Sequence, residues 1–204
     1  MAKIKLTKTE LKAQTDALKR FQRFLPMLQL KKQQLQSEIA LISAKADATA
    51  AKERAVRAEL GEWVGLVATD ENAVDGLVKV RSVRTGTANI AGVTIPTFES
   101  IDTETKDVDL WATPPWVDDA AEAARKILSL QSERRVYEEQ RRLIAEELQQ
   151  TSQRVNLFEK VKIPECKEAI RVIKIAIGDE QTSAVTRGKI AKSRNAGGDG
   201  EVAA

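Results

Sequence analysis

The chain has 204 residues, with 33 Lys and Arg against 30 Asp and Glu, one cysteine and no histidine. One cysteine excludes an internal disulfide framework and every multi-cysteine zinc pattern. Without histidine, nucleophile–histidine triads and zinc–histidine chemistry are excluded as well. Aromatic residues make up 4% and charged residues 31%, which suits long helices or a coiled coil. No apolar run approaches the roughly 20 residues that span a bilayer, and residues 1–6 lack the apolar core of a signal peptide. The expectation is a cytoplasmic chain with Cys166 reduced, able to act on a membrane-bound partner.

Residues 1–69 read as one long helix. Thr7 and Glu10 have the spacing of a capping box at its start. From there the apolar stripe runs Leu11, Leu18, Phe21, Leu25, Leu28, Leu35, Ile39, Ile42 and Ala46. It weakens at Thr49 and Glu53 and resumes at Val56, Leu60, Trp63 and Val67. Steps of three and four sustained this far describe a coiled-coil seam. Pro26 removes a backbone donor inside the helix, so a kink is expected there. Gly61 and Gly65 mark the helix running out.

Residues 70–117 change character. Leu77 to Arg84 alternates as a strand does, residues 85–89 supply turn types, and Ile90 to Ile101 is β-branched again. A small hairpin is expected, its second arm short or bulged at Gly92 and Pro96. Such a hairpin must lean on a helix or a partner. An acidic loop from Asp102 to Trp116 follows.

Residues 118–178 read as the second long helix, with Ile127, Leu130, Tyr137, Ile144, Leu148, Val155 and Phe158 along its seam. Past Phe158 the stripe moves by one residue to Ile163, Cys166, Ile170, Ile173 and Ile177, and Pro164 lies at that shift. Gly178 reads as a helix stop, and residues 179–204 as a basic end and flexible tail. Two helices of about 60 residues, each roughly 90 Å long, should fold back as an antiparallel pair. Placing Trp63 beside about Arg125 would set Pro26 level with Pro164, so that both helices kink at one height. The fold class is therefore mainly α, an antiparallel two-helix coiled coil with a β-hairpin insert at one end.

The net charge of +3 conceals an axial pattern. Residues 1–35 hold nine basic and two acidic groups, residues 160–195 nine basic and four acidic, and residues 70–123 four basic and eleven acidic. In the paired-helix arrangement this makes a basic tip and an acidic foot. These charges can be read three ways: as solvation of two long helices, as a phosphate-binding surface, or as a fit to a protein socket with acidic walls. The tip has no interleaved aromatics, zinc module or recognition helix, which argues against nucleic acid.

Three segments together resemble the D subunit of V-type and archaeal-type ATPases, the central rotor stalk, in its bacterial branch. They are Leu6-Thr-Lys-Thr-Glu-Leu-Lys12, Asn89-Ile-Ala-Gly-Val-Thr-Ile-Pro-Thr-Phe-Glu99, and Arg154-Val-Asn-Leu-Phe-Glu159 followed by Ile163-Pro164. They occur in family order and spacing across nearly the whole chain. Pro26, in the stretch Phe24 to Lys32, is similar to the bacterial branch. Residues 177–186 depart from the acidic, Phe-containing run that often continues the family's last helix.

The resemblance implies a non-catalytic rotor protein without a cofactor, metal or small-molecule ligand. It would sit inside the head hexamer of A and B subunits, engage the F subunit and the connector above the membrane ring, and couple ATP turnover to proton or sodium movement. Consistent with this, Gly61 and Gly65 do not form a phosphate loop, because no Lys-Ser or Lys-Thr follows them. The expected seam comprises Leu18, Leu25, Leu28, Leu35, Ile39, Ile42, Ile144, Leu148, Val155 and Phe158. Lys8, Lys12, Lys19, Arg20, Arg187, Lys189 and Lys192 would face the head. Asn89, Val93, Phe98, Trp111 and Trp116 would contact partners at the foot, although the tryptophans fit a cap on the coil equally well. The alternative is a free-standing coiled-coil interaction protein or prefoldin-like holdase.

Overall fold

A computed structural model describes residues 5–61, 65, 76–106, 114 and 116–198. Helix α1 spans Lys8–Gly61, strands β1 and β2 span Val78–Ile90 and Val93–Thr105, and helix α2 spans Val117–Leu157. A π-helical turn, Phe158–Lys162, leads into helix α3, Ile163–Gly198. The chain thus has two long helical segments with an antiparallel two-stranded hairpin between them in sequence. It divides into two compact units, Met1–Leu30 with Ser152–Ala204, and Lys31–Thr151.

Thr7 caps α1 through its hydroxyl, which accepts the Glu10 N–H at 3.3 Å. Apart from Gly65, the expected continuation of this segment to Ala68, including Trp63 and Val67, lies outside the described residues.

In the unit Lys31–Thr151, Leu35, Ile42, Thr49 and Glu53 are buried on α1, and Val136, Gln140, Ile144 and Thr151 on α2. The Lys31 ammonium meets the Glu147 carboxylate at 2.6 Å. Further along α1, Glu53 meets Gln131 and Arg134. Partners therefore descend along α2 as numbers rise along α1, the signature of an antiparallel pair.

The hairpin belongs to the same unit. Its turn is Ala91-Gly92, with Ile90 paired to Val93, so the turn is not at residues 85–89, which are strand. Both turn residues have positive φ, 50° and 85°, as a two-residue hairpin turn matched to strand twist requires. The Asn89 side chain accepts the Gly92 N–H at 3.0 Å and fixes the bend. The second arm is as long as the first, at 13 residues each. Register shifts occur between Val80 and Ser82 and between Arg84 and Thr85. The second leaves Glu99 as the extra residue on β2, so Pro96 does not bulge the strand. Residues 102–105, expected in the acidic loop, extend β2.

In the unit Met1–Leu30 with Ser152–Ala204, the Phe21 and Phe158 rings lie 4.9 Å apart. Pro26 follows Phe21 by five residues and Pro164 follows Phe158 by six. On antiparallel helices those steps run in opposite directions, so the prolines are separated axially by about 16 Å and are not level. The expected register was carried over too long a distance from the insert. The seam shift past Phe158 has a backbone cause: the Ile163 N–H donates to the Phe158 carbonyl, closing a π turn. Such a turn inserts one residue into a helix. Ile144, Thr151 and Phe158 step by sevens, and Cys166 and Ile173 continue that row one residue late. Pro164, which has no N–H to donate, follows directly.

Gly178 does not stop the last helix. α3 continues through it to Gly198. One glycine costs a helix interior only about 1 kcal/mol, and Glu180 to Ala184 are compatible with helix on either side of the Thr182 hydroxyl, which bonds back to the Gly178 carbonyl at 3.0 Å.

Candidate functional site

The hairpin is fastened at both ends within its unit. At its base, Leu77 is buried with Val117, Ala120 and Ala121, and Val78 and Trp116 pack against them. The Lys106 N–H closes the base on the Leu77 carbonyl at 3.0 Å. At its tip, Ile95 is buried with Leu35, Ile42 and Ile144, while Ala88, Ile90, Ala91 and Val93 pack on the same cluster. The Gln140 amide, on α2, donates to the Pro96 carbonyl. A two-stranded ribbon that is marginal alone is thus laid along the paired helices instead of standing free at their end.

The expected partner-binding residues that are described lie in this hairpin and at its base. Asn89 is committed to the turn, Val93 to the tip cluster and Trp116 to the base cluster. Phe98 is half-buried. Trp111 lies outside the described residues. The face left to solvent belongs largely to β1, where Lys79 through Thr85 are all exposed. Val80 and Val83, 42% and 39% exposed, are its apolar members. The alternating pattern of β1 identified a strand but not which of its faces would be covered.

Among the seam residues, Leu35 and Ile144 are fully buried, and Ile42 and Val155 are buried. Leu18, Leu25, Leu28, Ile39, Leu148 and Phe158 are half-buried. Thr49 and Glu53, which read as a gap in the stripe, are buried at 4% and 6% exposure. Glu53 Oε1 accepts from Gln131 Nε2 at 3.0 Å and from Arg57 Nε and Nη2 at 3.1 and 3.0 Å. Its Oε2 accepts from Arg134 Nη1 at 3.4 Å. The Gln131 hydrogen bond, aided by the two arginines and opposed by burial, holds the Glu53 carboxyl below its usual range. Sequence pattern misses this cluster because Glu and Gln carry no apolar signal; the heptad position of Glu53 was the available clue.

The basic residues fall into two groups. Lys8, Lys12, Lys19 and Arg20 are exposed on the first turns of α1. Arg187, Lys189 and Lys192 lie on the last part of α3, where every residue from Gly178 to Asn195 is exposed. Among the described residues the last buried one of α3 is Ile173, so the second group lies past the buried part of the seam. Val185 and Ile190 are 60% and 49% exposed on this stretch. Among the described residues, no cluster of acidic or cysteine side chains suits a metal ion. No described helix is long and apolar enough to cross a membrane.

A family model for the D subunit of ATP synthase matches residues 10–193. The chain is 44% identical over 193 residues to the V-type ATP synthase D subunit of Borreliella burgdorferi, covering 95% of each chain. It is also 30% identical over 195 residues to the Chlamydia felis protein of that name, covering 95% of this chain and 94% of the relative. For the Chlamydia muridarum protein, again of that name, the identity is 31% over 196 residues, with 95% and 96% covered.

Proposed function

Because the chain belongs to the family of ATP synthase D subunits, we propose that it is the non-catalytic central shaft of a V-type ATP synthase. In this reading it turns within the head of A and B subunits, which hydrolyse or make ATP, and carries torque to the ion-translocating ring. It works at the cytoplasmic side, peripheral to the membrane, and itself binds neither nucleotide nor nucleic acid.

The observation that carries the reading is the bare end of α3. Most helical stability in proteins comes from packing of a covered face, and Gly178 to Asn195 are exposed throughout. A surrounding bore supplies the missing contacts: Val185 and Ile190 meet apolar patches of the wall, and Arg187, Lys189 and Lys192 meet its acidic groups. Lys8, Lys12, Lys19 and Arg20 form a second basic tier. Such charges centre a rotor because the force is long-ranged and no single contact is tight. The seam from Leu18 to Ile42, with Ile144 to Phe158, keeps the shaft from splaying, and Pro26 and Pro164 adjust its curvature. The F subunit and the connector engage the exposed face of β1 beside Phe98, with Trp111 and Trp116.

A holdase would use an open apolar cradle. Here the hairpin tip fills the groove over Leu35, Ile42 and Ile144, which favours the shaft.

Removal of residues 178–204 tests the reading in the co-expressed complex. The shortened chain is expected to join the complex weakly and to leave ATP hydrolysis uncoupled from ion movement. Full assembly with coupled pumping would contradict it.

A further inference from the structure

An apolar coiled-coil seam restrains sliding poorly, because a shift of one heptad brings apolar groups opposite apolar groups again. In the unit Lys31–Thr151, a heptad shift would replace Ile144 by Tyr137 or Thr151 opposite Leu35. Neither change buries a charge. The Glu53 layer behaves differently. Shifted one way, Ala124 and Ile127 take the places of Gln131 and Arg134, and the carboxylate loses its partners on α2 while staying covered. Shifted the other way, Glu138 and Arg141 arrive, placing a second carboxylate beside the first. Breaking a buried charged group from its partners is strongly destabilising even where the intact layer adds little net stability.

We propose that Glu53, held by Gln131 and Arg134 of α2, is a register latch that keeps α1 and α2 from sliding past each other by a heptad. Arg57 belongs to α1 and moves with Glu53, so it neutralises the carboxylate without choosing the register. Within this layer, choice lies with the two α2 residues, Gln131 and Arg134; the Lys31–Glu147 pair and the docked hairpin tip act at separate positions. The latch stands on the packing of this unit alone, so its failure and the failure of the shaft reading are separate results.

Spin labels on the full chain test it, at Lys45→Cys and Gln149→Cys with Cys166→Ala. Both label positions are exposed, and a heptad slip changes their axial separation by about 10 Å. With Glu53 intact, and with Glu53→Gln, which keeps an acceptor for Gln131, one distance is expected. Glu53→Leu is expected to add a second population displaced by about 10 Å and amounting to about a tenth of the molecules or more. A single unchanged distance in helical Glu53→Leu overturns the proposal. Should that variant lose its helical circular dichroism, Glu53→Leu with Gln131→Leu restores apolar contact on both helices and is read in the same way. There too, a single parental distance overturns the latch.

Discussion

The Glu53 carboxyl binds its proton less readily in the folded chain than in the unfolded one, chiefly because Gln131 donates to it. A lowered folded-state pKa contributes stability that is present above the unfolded value and lost as pH falls through the folded one. Wild type should therefore lose stability on acidification below about pH 4.5, near the ordinary carboxylate value, and Glu53→Gln should lose less over the same interval. Urea melts of the two chains from about pH 6 to pH 3 check this, and parallel losses would contradict it. Exposed carboxylates paired along the helices, such as Glu139 with Arg142, titrate in both chains and cancel in the comparison. At Leu35 the governing term is packing. Its side chain is fully buried, whereas Leu41, six residues on, is 56% exposed. Leu35→Ala should cost about 2–5 kcal/mol, and Leu41→Ala no more than about 0.5 kcal/mol. Thermal or urea unfolding distinguishes them, and equal losses would contradict the burial of Leu35.

At the scale of elements, the hairpin depends on two backbone positions. Gly92 has φ 85°, where an L side chain costs about 1–2 kcal/mol. Gly92→Ala should therefore weaken the tip, seen as faster amide exchange from Ile90 to Thr97. Exchange at the hairpin base, which Leu77 and Val117 hold separately, should change less. Uniform change along both strands would mean that the tip and base are not independently fastened. The helices, the hairpin and their order were legible in the sequence because periods of 3.5 and 2 are local and repetitive. The turn position was not: Thr85-Gly-Thr-Ala-Asn89 has turn composition, but Ala91-Gly92 has the pairing, fixed by Ile95 docking on Leu35 and Ile144. Gly178 misled in the same way, since a glycine permits a helix end without imposing one. The partial covering of Val93 and Trp116 arises from long-range packing, for which no short window carries a signal. Thr49 and Glu53 looked like a gap because polarity was weighed above heptad position.

For the whole molecule, the charge pattern gives a measurable property. Charge reversal at Lys8, Lys12 and Lys19 together should weaken assembly with the head more at low salt than at high salt, because exposed charges are screened beyond about 10 Å at 0.1 M. Association measured across a salt series checks this; a loss independent of salt would point to packing contacts instead. The missing histidine and scarce aromatics fit the proposed role of a shaft that transmits force. The claim that it does so is tested most directly by rotation. In a complex reconstituted with its own head, a bead would be fixed through Arg84→Cys, on the exposed outer face of β1, with Cys166→Ala. On addition of ATP the bead should turn persistently in one direction, at a rate that follows hydrolysis. A bead that stays fixed while the head hydrolyses ATP would contradict the account.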